Sequence, residues 1–330
     1  MKRAITLEKE DKLFIQVYHI GYSKQGEGCV FLLYTDNGRV LYSMAIDCYE
    51  ENQCNITDEI LKKWKLENKL DMFIWTHAHD DHSVGVDKII EKYCTKDSII
   101  CMENVFPIKT ECSEICQKNI QYIQGLNYRK KVKNKWHINP LVHFPDILDN
   151  RQFNGENDIQ RIIVQCVSPF SEIGGMQVGT VDHNKSSIAC IVKVEMKNNN
   201  INFLFSGDME RHTIEGLIEA YEEYGDVIPC VYNYIKIPHH GSENAANLIE
   251  FLKLEDGRKS QFASTSVFVN KNLPRKKVLQ AYENVVEQIA CTSNINVPQY
   301  GFGVVCLSFD LSLKKLKTNL YGTAEYVHYN

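Results

Sequence analysis

LDMFIWTHAHDDH, residues 70–82, passes abruptly from an apolar strand to a cluster of histidines and aspartates. The cluster has the spacing His77-x-His79-x-Asp81-His82, so that four ligand-type side chains fall within six positions. Imidazole and carboxylate groups bind zinc and related divalent ions, and a turn after a strand can direct such side chains at one point. The alternative is a polar turn whose histidines are merely solvated. Because ligand-type residues recur later in the chain, the stretch predicts a metal site at a strand end.

Three further apolar runs end in the same kinds of residue. One run precedes Asp47, a second precedes Asp208, and a third precedes the pair His239 and His240. A buried carboxylate is costly without partners. For Asp47 the sequence therefore leaves two functions open, capping of the next turn or orientation of metal ligands. The recurrence predicts a site assembled from several strand ends.

Composition excludes some classes of protein. With 44% hydrophobic and 24% charged residues, the 330-residue chain has ordinary globular usage and can bury a sizeable core. A net charge of −5 argues against a protein that coats nucleic acid non-specifically. The start, MKRAITLEKEDKLF, meets acidic residues before any long apolar run, and no window approaches 18 apolar residues. We therefore expect a cytoplasmic protein without a membrane partner, whose twelve cysteines are reduced. Protein partners are not indicated.

The middle of the chain departs from the strand-rich pattern. Residues 103–160 are polar with helical fragments and are interpreted as an insertion over the active-site face of a single domain, 1–330. Within it, the run YRKKVKNKWH, residues 128–137, is rich in lysine and arginine. It either contacts phosphates, with Tyr128 or Trp136 stacking on a base, or forms a solvated face. Helical patterns are also predicted for residues 86–93 and from residue 274 to about 287.

Taken in chain order, these motifs resemble the metal-binding motifs of the metallo-β-lactamase superfamily, and the resemblance spans nearly the whole chain. The motifs Asn184-x-x-Ser187, Ser206-Gly207-Asp208 and IKIPHHGS, residues 235–242, look most like the soluble hydrolase domain of bacterial DNA-uptake competence proteins. The resemblance implies an α/β (α+β) fold, a four-layer αββα sandwich, here with a helical or loop insertion.

The resemblance also implies two divalent metal ions, with zinc favoured and manganese or iron as alternatives. The implied ligands are His77 and His79 for one ion, Asp81, His82 and His240 for the other, and Asp208 as a bridge between them. His183 is either a further ligand of the first ion or a loop histidine near the substrate. These residues are assigned from their match to the family motifs, and the sequence alone does not show that they lie close together in space.

The implied chemistry is hydrolysis by a metal-activated hydroxide. The candidate catalytic residues are Asp81, which would orient or deprotonate the water, His239 and Lys236. Lys236, His239, Asn184 and Ser187 are candidates for binding a phosphate oxygen or the leaving group. The alternative for Lys236 is a stem that reaches the surface. The leading function is a phosphodiesterase, such as a nuclease, acting on nucleic acid or a nucleotide. The alternatives are a lactone, thioester or other carboxyl-derivative hydrolase, and a non-catalytic or redox metal-binding protein.

Overall fold

The structure is a computed structural model that describes residues 4–8, 10–103, 112–128, 136–140, 142–170, 183–225, 228–255, 257–296 and 300–327. The strands formed by these residues are β1 (Ile5–Thr6), β2 (Leu13–Tyr22), β3 (Glu27–Thr35), β4 (Val40–Ile46), β5 (Met72–Trp75), β6 (Ile99–Met102), β7 (His137–Asn139), β8 (Ile147–Asn154), β9 (Ile159–Ser168), β10 (Ala189–Met196), β11 (Asn200–Phe205), β12 (Tyr234–Lys236), β13 (Ser260–Thr265), β14 (Val286–Cys291), β15 (Phe302–Asp310), β16 (Lys315–Gly322) and β17 (Glu325–Tyr326). The helices are α1 (Ile56–Lys63), α2 (Val86–Tyr93), α3 (Glu114–Tyr128), α4 (Arg211–Tyr224), α5 (Leu248–Leu252) and α6 (Lys276–Tyr282).

The strands form two sheets. One has the order β16-β15-β2-β3-β4-β5-β6-β7, and the other the order β1-β8-β9-β10-β11-β12-β13-β14-β17. Alternate side chains of β2 point to opposite faces of the first sheet. Val17 belongs to the core between the two sheets, whereas Ile20 belongs to the core between the first sheet and α1–α3. A separate core lies between the second sheet and α4–α6. The predicted four-layer αββα sandwich is confirmed.

The two sheets meet through large aromatic side chains. Phe31 of β3 contacts Phe203 and Phe205 of β11, with ring centroids 5.3 and 6.3 Å apart. Such edge-to-face pairs add about 0.5–1.5 kcal/mol each beyond the area that they bury. Phe205 ends β11 shortly before Asp208, and so these pairs fix that strand end against the first sheet.

Parallel pairing brings the ligand-type residues to one end of the sandwich. β4 and β5 are parallel neighbours in the first sheet, and β11, β12 and β13 are parallel neighbours in the second. Because parallel strands end on the same side, the segments after β4, β5, β11 and β12 lie close together. The predicted assembly from strand ends follows from this topology.

The helix predicted at residues 86–93 is confirmed as α2, Val86–Tyr93. The helix predicted from residue 274 to about 287 is wrong beyond Tyr282, because the chain turns there and enters β14. β14 pairs in parallel with β13, with Val286 opposite Ser260, and this long-range pairing overrides the local helical pattern.

The segment interpreted as an insertion contributes to both sheets. β7 pairs with β6, and β8 pairs with β9. The boundaries of the insertion stay a prediction. Most of the basic run, residues 129–135, lies outside the described residues. In the part of the chain that the structure describes, no helix combines the length and the apolar composition needed to cross a membrane.

Candidate metal centre

The turn after β5 directs several side chains of the HxHxDH motif inward. The chain leaves β5 at Trp75 and forms a short 3-10 turn, Asp80–His82. His77 and His82 are fully buried. Full burial of two adjacent imidazoles, away from water, is costly unless their ring nitrogens have partners.

The turn after β11 depends on a glycine. Gly207 has φ +50°, and a Cβ at this position would lie 2.6 Å from Ser187 Oγ and 2.7 Å from the Ile188 carbonyl oxygen. A larger residue would therefore combine a disfavoured backbone conformation with a clash. Glycine here lets Asp208 enter the site.

The turn after β12 has a left-handed backbone at successive residues. His239, His240 and Gly241 have φ values of 45°, 50° and 71°. Non-glycine residues are uncommon in this region, and they persist where the surrounding structure requires them. The turn points His240 into the buried site at 1% exposure and leaves the His239 side chain 22% exposed.

One oxygen of Asp208 lies at the centre of the site. Asp208 Oδ2 is 3.5 Å from His82 Nε2, 3.7 Å from His240 Nε2 and 3.9 Å from His77 Nε2. Asp81 Oδ2 lies 3.2 Å from His240 Nε2 and 3.7 Å from His82 Nε2. The predicted ligands from both sheets are thus brought together.

These separations fit a divalent ion. Ligand atoms that are each about 2.0–2.2 Å from a tetrahedral ion lie about 3.4 Å from one another. The Nε2 atoms of His77 and His82 are buried and make no hydrogen bond to any described residue. A bound cation would give both nitrogens a partner, so the donor set fits a metal ion.

Hydrogen bonds fix the orientation of these two histidines. The Thr76 hydroxyl lies 2.7 Å from Asp47 Oδ2 and donates its only proton there, so it accepts the bond from His77 Nδ1 at 2.9 Å. His82 Nδ1 donates to Asp47 Oδ2 over 2.8 Å. Both rings therefore carry a proton on Nδ1 and turn Nε2 toward Asp208. Asp47 thus contacts His82 directly and His77 through Thr76, which favours orientation of these histidines over capping of the next turn.

His183 lies beside the other histidines. Its Nδ1 is 2.6 Å from Glu103 Oε1, and its ring centroid is 5.4 Å from that of His79. Glu103 also accepts bonds from the Ala78 amide at 2.9 Å and the Ser186 hydroxyl at 2.8 Å. A histidine held by a carboxylate in this way is typical of a metal ligand. The placement favours a ligand over a loop histidine, although the role itself stays a prediction.

The placement of Lys236 does not fit its predicted contact with substrate. Its side chain is 4% exposed. The ammonium donates to the Gly207 carbonyl at 2.6 Å and to Asp208 Oδ1 at 3.3 Å, and it is paired with Glu27 Oε1. Its three donors thus have three acceptors, which leaves none for a phosphate. The alternative, a stem reaching the surface, does not fit either.

Ser187 is also placed differently from its predicted contact with substrate. Its side chain is fully buried, and its Oγ accepts a hydrogen bond from the Asp208 amide at 2.9 Å. The same oxygen lies 3.4 Å from His77 Nδ1. Ser187 therefore holds the loop that carries Asp208 and does not line the cleft.

Burial and neighbouring charges shift the pKa values of the buried histidines and carboxylates in opposite directions. Burial, together with the neighbouring His82, lowers the pKa of His77 well below its ordinary value. Burial alone would also lower the pKa of His82, but the carboxylates of Asp208, Asp81 and Asp47 raise it well above that value. Burial would raise the pKa of Asp208, but His82 and Lys236 hold it well below the usual range. Asp208 is therefore an anion at neutral pH.

The site opens into a cleft of about 850 Å³. His79, Asp81 and His183 lie among its lining residues, while Lys271 and Arg275 belong to the wall formed by the segment after β13. A further part of the lining comes from Asn184, Asp208, His239, Ser242 and Phe268.

Glu210 connects two of the predicted cleft residues. Asn184 Nδ2 donates to Glu210 Oε1 over 3.0 Å, and His239 Nδ1 lies 2.8 Å from the same oxygen. Burial alone would lower the pKa of His239, but Asp208 and Glu210 raise it above its ordinary value. Both residues line the cleft, and their contact with a substrate stays a prediction.

No family model matches the chain, and no curated protein matches it. Among solved structures, the metallo-β-lactamase fold protein YhfI from Bacillus subtilis is 12% identical, with coverage of 88% of this chain and 99% of that chain and a TM-score of 0.41. BJP-1, a subclass B3 metallo-β-lactamase of Bradyrhizobium japonicum, is 11% identical, with coverages of 81% and 90% and a TM-score of 0.34. The metallo-β-lactamase SMB-1 bound to 2-mercaptoethanesulfonate is 9% identical, with coverages of 69% and 83% and a TM-score of 0.33.

Proposed function

We propose that the protein is a metal-dependent hydrolase that cleaves phosphodiester bonds in nucleic acid or a nucleotide. The observation that carries the proposal is the position of Asp208 Oδ2, which lies within 3.5–3.9 Å of three histidine Nε2 atoms at the base of an open cleft. Two divalent ions would be held by His77, His79, His183, Asp81, His82, His240 and Asp208. Zinc is favoured by the imidazole-rich set, while manganese and iron accept the same ligands.

A divalent ion bound here would lower the pKa of a water from 15.7 towards roughly 7 and so supply a hydroxide near neutral pH. The chain itself supplies orientation and proton handling. Asp81 lines the cleft with its Oδ2 3.2 Å from His240 Nε2, and we expect it to orient the attacking water. His239 lines the cleft with its Nδ1 2.8 Å from Glu210 Oε1, and we expect it to give a proton to the leaving oxygen.

Two cations favour a phosphodiester over a carboxyl derivative. Lys271 and Arg275 line the cleft alongside the carboxylates of Asp80 and Glu243. Glu243 is paired with Lys277, and neither cleft cation forms an ion pair with a carboxylate of the described residues. Positive charges on a cleft wall attract anionic substrates and pair well with phosphate oxygens. A neutral lactone or thioester would gain nothing from them. The cations therefore support the phosphodiesterase among the hydrolases compatible with these ligands.

The test is a substrate panel with the zinc- or manganese-loaded full chain. It comprises bis-p-nitrophenyl phosphate, single-stranded DNA, a cyclic dinucleotide and a lactone, with the metal-free protein and Asp81→Ala as controls. We expect turnover of at least one phosphodiester and its loss in both controls. Turnover of the lactone alone would overturn the phosphodiesterase. Absence of stoichiometric metal, together with an unchanged Asp81→Ala variant, would overturn the hydrolase and leave a non-catalytic protein.

A further inference from the structure

We infer that Glu27 is a positioning residue of the metal centre, and that it orients Asp208 through Lys236 and His240 through Ser266. The inference rests on the proposed metal-dependent function. Glu27 is the first residue of β3, is 2% exposed and belongs to no motif recognised in the sequence. Its carboxylate is nevertheless within reach of both sheets.

The first connection leads to Asp208. Glu27 Oε1 is paired with the Lys236 ammonium, which also donates to Asp208 Oδ1 over 3.3 Å. With Oδ1 held in this way, Oδ2 is the oxygen of Asp208 that faces the histidines. Without Glu27, Asp208 would be the only carboxylate among the described residues left to neutralise the buried ammonium, and it would be drawn away from the metal side.

The second connection leads to His240. Ser266 Oγ donates to Glu27 Oε2 over 2.5 Å, which uses the only proton of the hydroxyl. Ser266 therefore accepts the bond from His240 Nδ1, also at 2.5 Å. This fixes the proton on Nδ1 and leaves Nε2 free to face Asp81 and Asp208. Thr76 and Asp47 hold His77 by the same logic.

Glu27 is close enough to the ligands to be considered one itself. A ligand atom of Glu27 lies within 4.8 Å of ligand atoms of His82, Asp208 and His240. Its carboxylate instead lies on the side of the ligands opposite the proposed metal. It faces the Nδ1 atoms of His240 and His82, at 3.4 Å and 3.9 Å. Both carboxylate oxygens are already engaged. The residue thus orients ligands and does not replace one.

The test measures zinc binding to the full chain, by metal content after dialysis and by competition with a chromophoric chelator. The variants are Glu27→Gln, which keeps the shape and removes the charge, and Ser266→Ala, which cuts only the connection to His240. The matched control is Asp149→Asn. Asp149 is likewise a carboxylate, 9% exposed, that pairs with a buried cation, Arg151, at 2.9 Å. Arg151 also contacts Asp71, which precedes β5, so the control lies at the opposite sheet edge from the site.

Loss of a group that orients metal ligands typically lowers metal affinity 10–100-fold, and we expect a change in this range for Glu27→Gln. We expect a smaller decrease for Ser266→Ala and an affinity within twofold of the parent for Asp149→Asn. The cobalt-substituted Glu27→Gln protein should also show a shifted visible spectrum, because the coordination of Asp208 changes.

Parental zinc affinity in both site variants would overturn the inference, as would an equal decrease in Asp149→Asn. If Glu27→Gln does not fold, the zinc affinity of Ser266→Ala provides the test. A parental zinc affinity of that variant would contradict the connection from Glu27 to His240. A parent protein that binds neither zinc nor manganese nor iron would instead overturn the proposed function itself.

Discussion

His183 Nδ1 lies 2.6 Å from Glu103 Oε1, although 80 positions separate the two residues in the chain. The bond fixes the proton on Nδ1 and turns the opposite ring nitrogen away from Glu103. The ring of His79 is a neighbouring imidazole, at 5.4 Å between centroids, so this arrangement supports the prediction that His183 is a metal ligand held by a carboxylate.

If His183 is a ligand, His183→Ala should reduce the zinc content of the dialysed protein, and Glu103→Gln should weaken zinc binding by about tenfold. The control is Glu195→Gln, which removes a carboxylate paired with Arg161 away from the site. Metal analysis checks the outcome. A raised KM with parental zinc content in His183→Ala would instead make His183 a substrate-contacting residue.

Glu103 also shows what sequence reasoning can find. The sequence singles out Asp47 and Asp208 because an apolar run ends just before each of them, and Glu103 has the same signal after β6, Ile99–Met102. The polar composition that begins at Glu103 conceals this signal. Glu27 has no comparable signal, because its pairing with Lys236 depends on how the two sheets face each other. Local motifs thus predict the ligands, while the residues that orient them require the fold.

Gly207→Ala should destabilise the protein more than Gly38→Ala. Both glycines have a left-handed backbone, with φ of +50° and +82°, but a Cβ at Gly38 would meet nothing within 4 Å. The backbone conformation alone costs about 1–2 kcal/mol. At Gly207 the clash with Ser187 and Ile188 adds about 1–3 kcal/mol. Urea unfolding of the two metal-free variants measures the difference, and equal values would show that the clash is relieved without cost.

The free energy of unfolding should fall as the pH rises above 9. Burial raises the pKa of Cys48 and Cys101 to about 12 and that of Cys116 to about 11, from an ordinary value of 9.0. Between pH 9.0 and about 11 the unfolded chain releases thiol protons that the folded protein keeps, so alkaline pH favours unfolding. Urea unfolding between pH 8 and 10.5 in the presence of a reductant provides the check.

A matched pair of variants assigns this alkaline loss to buried thiols. Cys101→Ala should make the decline above pH 9 shallower, because it removes one buried thiol. Cys54→Ala, at a half-buried position, serves as the control for loss of a cysteine. An identical pH dependence in the parent and Cys101→Ala would show that other groups cause the decline.

Replacement of both cleft cations, Lys271→Gln with Arg275→Gln, should raise KM for a phosphodiester substrate about tenfold at low salt. The effect should shrink at 0.5 M salt, because exposed charges are then screened over about 3–5 Å. Zinc content should not change, since neither residue lies among the proposed ligands. Lys253→Gln, an exposed lysine that does not line the cleft, is the control. Steady-state kinetics with a charged phosphodiester and a neutral lactone make the comparison, and an equal loss with both substrates would contradict a role of the two cations in phosphate binding.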